Sequence, residues 1–262
     1  MPIRSPNGWS ASSTPGSTST RTRSDPPGLH ARAVIRTEHD DGTRLETLRS
    51  DPPLTLRQTG AGVVHLVSTA AGPLGGDHLD LTIDVAPLTS LSVFSVASTL
   101  ALPGRSLLTV TARVGSGASL HYSPEPIVLA DGCDLRVQVR LELAPDASVF
   151  WREELVFGRH GEPSGRCHTR LDATVGGVPL LRQELVIGDP ATHDSPAVFG
   201  SARCAGSTLL AGDLPRERHL ANGCAVLPLA GPGTLVSALA PDTVELRRRL
   251  EWGERLADKT LP

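Results

Sequence analysis

The chain has 262 residues, 39% of them hydrophobic, and a formal net charge of −3; that is enough to bury a full core, with no global pull towards nucleic acid or an anionic membrane. Aromatic residues make up only 3%, too few for the stacking platforms of single-strand binders. Among 25 basic residues the one lysine is Lys259, near the C-terminus, which excludes a P-loop lysine and a Schiff-base lysine.

Residues 1–28, including "SASSTPGSTSTRTRSDPPG", are rich in Ser, Thr, Pro and Gly and carry no periodicity. Such a segment buries too little apolar surface to offset the entropy of ordering it, so a disordered tail is predicted, with Arg4, Arg21 and Arg23 solvated. Residues 29–262 then form a single β-rich domain, because no later linker is long enough to divide them. The N-terminus has no apolar signal-peptide core, and the chain has no run of 18 apolar residues, so a soluble, cytoplasmic protein is expected.

From Ala31 onward the dominant period is two. Leu79, Leu81, Ile83 and Val85 alternate with Asp80, Thr82 and Asp84; Leu135, Val137, Val139, Leu141 and Leu143 alternate with Arg136, Gln138, Arg140 and Glu142. These are half-buried strands. Further strands are predicted near 31–37, 44–49, 63–67, 91–97, 106–114, 118–122, 148–157, 168–175, 179–187 and 233–240, with Gly176-Gly177 as a two-residue hairpin turn. One helix is well signalled: it starts at Pro241-Asp242, has capping-box spacing between Asp242 and Glu245, and places Leu246, Leu250, Gly253 and Ala257 on one stripe. A weaker helical pattern covers 213–221, and no internal repeat of fixed period is visible. The fold class is mainly β, layered sheets of many short strands with one or two α-helices, the clearest at the C-terminus.

Standard catalytic signatures are missing: no HExxH, GxSxG or GxxxxGK[ST] occurs. Cys133, Cys167, Cys204 and Cys224 are too scattered for a CxxC pair or a disulfide scaffold and read as reduced thiols. Cys167 and His168 are neighbours on a strand, so they point to opposite faces and make a poor zinc pair. What stands out is a set of carboxylates at Gly/Pro junctions: Asp77 after Gly75-Gly76, Glu125 in "YSPEP", Asp131 in "LADGCD" and Glu162 in "GRHGEPSGR". Each alone suits a turn residue accepting backbone N–H bonds. Together, hard oxygen ligands spaced along a path suit a divalent ion that is held and released rather than trapped.

The segment "AAGPLGGDHLDLTIDV" resembles the glycine-rich GGD motif and following strand of the UreD/UreH family of urease accessory proteins. "LHYSPEPIVLADGCDLRVQVRLELAPDASVFWREELVFGRHGEPSGR" is similar to that family's P-E/Q-P-I segment, strand pair and GR…GE signature, in matching order over residues 30–250. Ala71 and Pro73 depart from the family's usual glycines, and "FSVASTLALPGR" departs from its Thr/Gln-rich stretch. The resemblance implies a non-enzymatic urease maturation factor, a nickel insertion chaperone that binds apo-urease and the helical accessory protein UreF, and through UreF the GTPase UreG. It implies no permanently bound cofactor, only transient Ni²⁺ passing through the interior. On this reading Asp77, Glu125, Asp131 and Glu162 are the candidate metal residues of a nickel path, and Arg159 is a structural ion-pair partner beside them.

Two rival readings follow from the residues alone. One is a β-rich interaction scaffold unrelated to urease; the other is a hydrolase using Asp77 and Glu162 as acid and base, which requires both carboxyls in one water-excluding pocket. Arg247-Arg248-Arg249, interleaved with Glu245, Glu251 and Glu254, read as a solvated helix face.

Overall fold

The computed structural model describes residues 28–258, apart from 194, 213, 215 and 216, so the predicted tail lies outside the described residues except for Gly28. In chain order the strands are β1 (His30–His39), β2 (Thr43–Arg49), β3 (Leu54–Gly60), β4 (Val63–Ser68), β5 (His78–Val85) and β6 (Ser90–Ser95). They continue as β7 (Thr99–Ala101), β8 (Gly104–Val114), β9 (Ser119–Ser123), β10 (Ile127–Leu129), β11 (Cys133–Leu143) and β12 (Ser148–Val156). The last six are β13 (Arg166–Val175), β14 (Val178–Ile187), β15 (Cys204–Ala211), β16 (His219–Ala221), β17 (Cys224–Pro228) and β18 (Gly233–Ala240). The short helix α1 (Pro190–His193) follows β14, and α2 (Thr243–Ala257) ends the described chain.

These strands form two sheets. The first runs β14-β13-β11-β8-β5-β1-β2; the second runs β16-β17-β18-β15-β12-β9-β6-β4-β3, with β10 and β7 alongside β12. From β5 to β13 the chain passes back and forth between the sheets, each strand lying parallel to the one a circuit earlier. His78 stands beside Leu107 and Leu107 beside Arg136; Ser90 stands beside Ser119 and Ser119 beside Ser148. The interval is the same in all four pairings, which makes β5, β8 and β11 with β6, β9 and β12 a short solenoid of constant rung; Asp134 beside Arg166 and Thr99 beside Ile127 depart from that interval. The sequence shows no matching repeat, because a rung requires apolar residues at inward positions and turn residues at the corners, not identical residues.

The inner faces of the two sheets make one core, with Trp151, Phe157, Ile35, Ile83, Leu135 and Leu141 among its fully buried side chains. In β11 burial alternates strictly, as the sequence pattern requires. A second core lies on the far side of the second sheet, where Leu210, Val226, Val236 and Ala238 meet Leu246, Leu250 and Ala257 of α2. Strands β15 and β18 are therefore covered on both faces and are buried almost throughout. That coverage removes the alternation from "CAGSTLLA", and β15 was not predicted. Short β7, β10 and β17, and the polar β3, were missed as well.

Helix α2 forms as the sequence predicts. Asp242 caps it, its Oδ1 accepting the Glu245 N–H at 2.8 Å, and the buried stripe is Leu246, Leu250, Gly253, Glu254 and Ala257. Burying each leucine contributes about 2 kcal/mol. Gly253 lets the helix come close to the sheet, since a Cβ there would lie 2.5 Å from Val236 Cγ1. Among the described residues the predicted helix over 213–221 does not form: 219–221 are β16, which pairs with β17, and sheet pairing prevails over a weak helical pattern, while 213, 215 and 216 lie outside the described residues. The Gly176-Gly177 hairpin between β13 and β14 forms as predicted. No helix among the described residues is long and apolar enough to cross a membrane.

Candidate functional site

Asp77 sits at the turn into β5, nearly buried, and both its oxygens accept backbone N–H groups. Oδ1 takes that of Leu29 at 3.0 Å and Oδ2 that of Leu74 at 2.8 Å. The turn is pressed against the next rung: Gly75 N–H donates to Pro103 and Gly76 N–H to Arg105.

The Asp131-Gly132 turn stacks on the same corner further along, since Gly104 N–H donates to the Gly132 carbonyl. Asp131 is exposed in the turn before β11. Glu162, in the loop after β12, pairs through both oxygens with Arg159. That guanidinium holds the Glu162 carboxyl below the usual range, helped by backbone amides of Arg159 and Asp131. Glu125 precedes β10 and accepts from Arg247 of α2 at 2.6 Å. An open groove of about 430 Å³ joins Glu125, Arg159, His160, Thr243 and Arg247. Of the four predicted carboxylates Glu125 lines this groove and Glu162 is tied to it through Arg159, while Asp131 and Asp77 do not line it; Arg159 is the ion-pair partner the sequence reading expected.

Glu125 has a second neighbourhood. It also lines a cavity of about 70 Å³ between the sheets, whose walls include Gly72, Pro73, Leu79, Tyr122 and Leu135. Glu125 therefore stands on the wall between an outer groove and the interior. A second cavity of about 70 Å³ lies further along the same interlayer space, walled by Thr169, Gln183, Ser207, Ser237 and Glu153. Burial pushes the Glu153 carboxyl up to about 7, against a smaller opposing pull from the Trp151 indole. Glu153 keeps some accessible surface, as a residue lining a cavity does, while protein surrounds it.

Sequence reasoning missed Glu153, yet the signal was present. In "SVFWREELV", Val149, Trp151 and Leu155 share a face, and the same parity turns Glu153 inward and Glu154 outward. Glu154 meets α2: it is buried, and Arg247 Nε lies 3.3 Å from its Oε2. Desolvation raises the Glu154 carboxyl, opposed by the charges of Arg247 and Arg152. The solvated reading of the arginine run is corrected for two of its members. Arg247 bridges Glu125 and Glu154, and Arg249 binds Glu245 and the Leu239 carbonyl, whereas Arg248 stays on the surface. The pattern of alternating charges could not show which sheet carboxylates would lie beneath the helix.

All four cysteines are buried and free, and burial raises their thiols, which suits inert core positions rather than metal ligands. No described pocket brings Asp77 and Glu162 together, so the acid/base reading for that pair lacks its required geometry.

Comparison with known proteins agrees with the motifs. Residues 29–260 match the model of the UreD urease accessory protein family. The chain is 42% identical to a urease accessory protein UreD of Frankia casuarinae, over 89% of this chain and 91% of that relative. It is likewise 42% identical to UreD 3 of Streptomyces griseus, over 87% and 96%, and 35% identical to UreD 1 of Saccharopolyspora erythraea, over 85% and 93%.

Proposed function

This chain belongs to the UreD family of urease accessory proteins, and from that premise we propose that it is a non-enzymatic maturation factor that helps deliver nickel to apo-urease, working with UreF and, through UreF, with UreG in the cytoplasm. One observation supports an internal route: Glu125 borders both the groove outside and the cavity between the sheets. A passing Ni²⁺ is the cargo, and it needs ligands that exchange. Carboxylate oxygens suit that better than a thiolate cage.

The carboxylates divide the work on this reading. Asp131 and Glu162 supply negative charge beside Arg159 of the groove, and Glu125 is the gate residue, held by Arg247 until a cation takes its place. Glu153 is the interior stop, a carboxyl whose ionisation burial opposes and a visiting cation favours. Asp77 acts from the wall: by fixing Leu74 and Leu29 it holds the Gly72-Pro73 edge of the cavity.

The test is urease activity in nickel-fed cells carrying the cognate urease genes. Deleting this chain is expected to abolish activation and restoring it to recover activation. Glu125→Gln and Glu153→Gln are expected to lower the initial rate of activation at least tenfold at limiting nickel while still copurifying with urease. Activation that is unchanged by the deletion overturns the maturation reading; activation by both variants at the wild-type rate overturns the internal route alone.

A further inference from the structure

On the outer face of the first sheet, just beyond the Asp77 turn, two histidines and an aspartate converge. Their placement begins with the Asp77 turn. Gly28 lies so close to Gly76 that a Cβ would fall 1.8 Å from the Gly76 carbonyl oxygen. Asp77 takes the Leu29 N–H, and His78 N–H donates to the Leu29 carbonyl at 2.8 Å. Those bonds start β1 and β5 in parallel register, with His30 opposite His78 and Arg32 opposite Asp80. Ala31 and Leu79 point into the core, so strand alternation sends His30, His78 and Asp80 to the same outer face.

The side chains complete the arrangement. The two imidazole rings stack with centroids 4.5 Å apart and planes within 5°. The Asp80 carboxylate spans both: its Oδ2 lies 2.8 Å from His30 Nε2 and its Oδ1 lies 3.0 Å from His78 Nε2. One ligand atom from each residue falls within 4.8 Å of the others. Thr109 Oγ1 is 3.4 Å from His78 Nε2, and Arg32 Nε is 3.5 Å from Asp80 Oδ2.

We propose that His30, His78 and Asp80 form a surface site for a first-row divalent transition-metal ion, with the two Nε2 atoms and one Asp80 oxygen as ligands and water in the remaining positions. Two imidazoles and a carboxylate are borderline donors, which favour Ni²⁺, Co²⁺, Cu²⁺ or Zn²⁺ over Mg²⁺ or Ca²⁺. Only a small rotation of each ring is needed, because the atoms that now share hydrogen bonds become the ligands. Three protein ligands, all partly exposed to water, leave the ion exchangeable rather than structural. Arg32 is the competing cation, and its guanidinium must swing aside from Asp80; at 72% exposure it is free to do so. The site stands independently of the internal nickel route, since none of its ligands lines either cavity.

The experiment is titration of the purified full-length chain with Ni²⁺, and with Co²⁺ as a spectroscopic probe whose visible absorption reports nitrogen ligation. Wild type is expected to bind one ion at micromolar concentration with an imidazole-type Co²⁺ spectrum. His30→Gln and His78→Gln are each expected to weaken that site at least tenfold and to abolish the spectrum, while leaving thermal unfolding without metal unchanged. His65→Gln, a histidine of the other sheet, is expected to bind as wild type does. Asp77→Asn, with all three ligands intact, is expected to weaken binding by loosening the register. Binding and spectra unchanged in the His30→Gln/His78→Gln double variant overturn the proposal, as does a wild-type chain that binds no ion in this range.

Discussion

The outer faces of the two sheets both carry ion pairs but hold them in different surroundings. On the first sheet Asp84 lies 3.1 Å from Arg36 and 3.6 Å from Arg113, and Arg113 in turn lies 3.0 Å from Glu142, all open to water. On the second sheet Arg152 grips Glu254 with both oxygens engaged, Thr208 donates to the same carboxylate, and Arg247 spans Glu125 and Glu154. The difference is helix α2, which removes most water from Arg152, Glu254 and Glu154, while Arg247 and Glu125 at its edge stay partly open. A charge pair is worth little where water competes for it; where water is excluded, losing one partner strands the other.

The largest expected effect tests the covered side. Glu254→Ala leaves Arg152 buried without its carboxylate and is expected to destabilise the fold by about 3–5 kcal/mol, read as a lowered denaturant midpoint. A loss under about 1 kcal/mol would place this pair with the surface ladders and erase the contrast between the two faces. An intermediate effect concerns the interior. Because burial raises the Glu153 carboxyl to about 7 from an ordinary 4.5, folding favours its protonated form. Its contribution is full below pH 4.5 and is lost as pH rises through 7, at up to about 1.4 kcal/mol per pH unit. Glu153→Gln is expected to flatten that fall, and stability profiles that stay parallel between pH 5 and 8 would show the carboxylate ionised in place. The smallest effect belongs to the open face: Arg113→Ala is expected to change stability by about 0.5 kcal/mol or less, diminishing further in high salt. A larger loss would mean the ladder acts as a network.

Much of the first sheet was legible before its structure. Strands β5 and β11 alternate in sequence because one face meets the core and the other meets water, and the Asp242 cap and the leucine stripe announced α2 by the same logic. The family was legible in the GGD, P-E-P-I and GR…GE segments. The second sheet was harder. A strand covered on both sides, such as β15, has no alternation to display, and the weak helical pattern before β16 carried no trace of the pairing that overrides it.

The candidate sites divide along the same line. Local sequence determined that Asp77 would serve a turn, that Arg159 and Glu162 would meet three residues apart, and that Glu153 and Glu154 would face opposite ways, because each follows from backbone geometry over a few residues. Only the tertiary structure decided that Glu125 borders both groove and cavity, that Arg247 leaves solvent to bridge two carboxylates, and that His30 stacks on His78. Those contacts join residues 48 to 122 positions apart, and register between distant strands is set by the packing of whole rungs, which no short stretch of sequence contains.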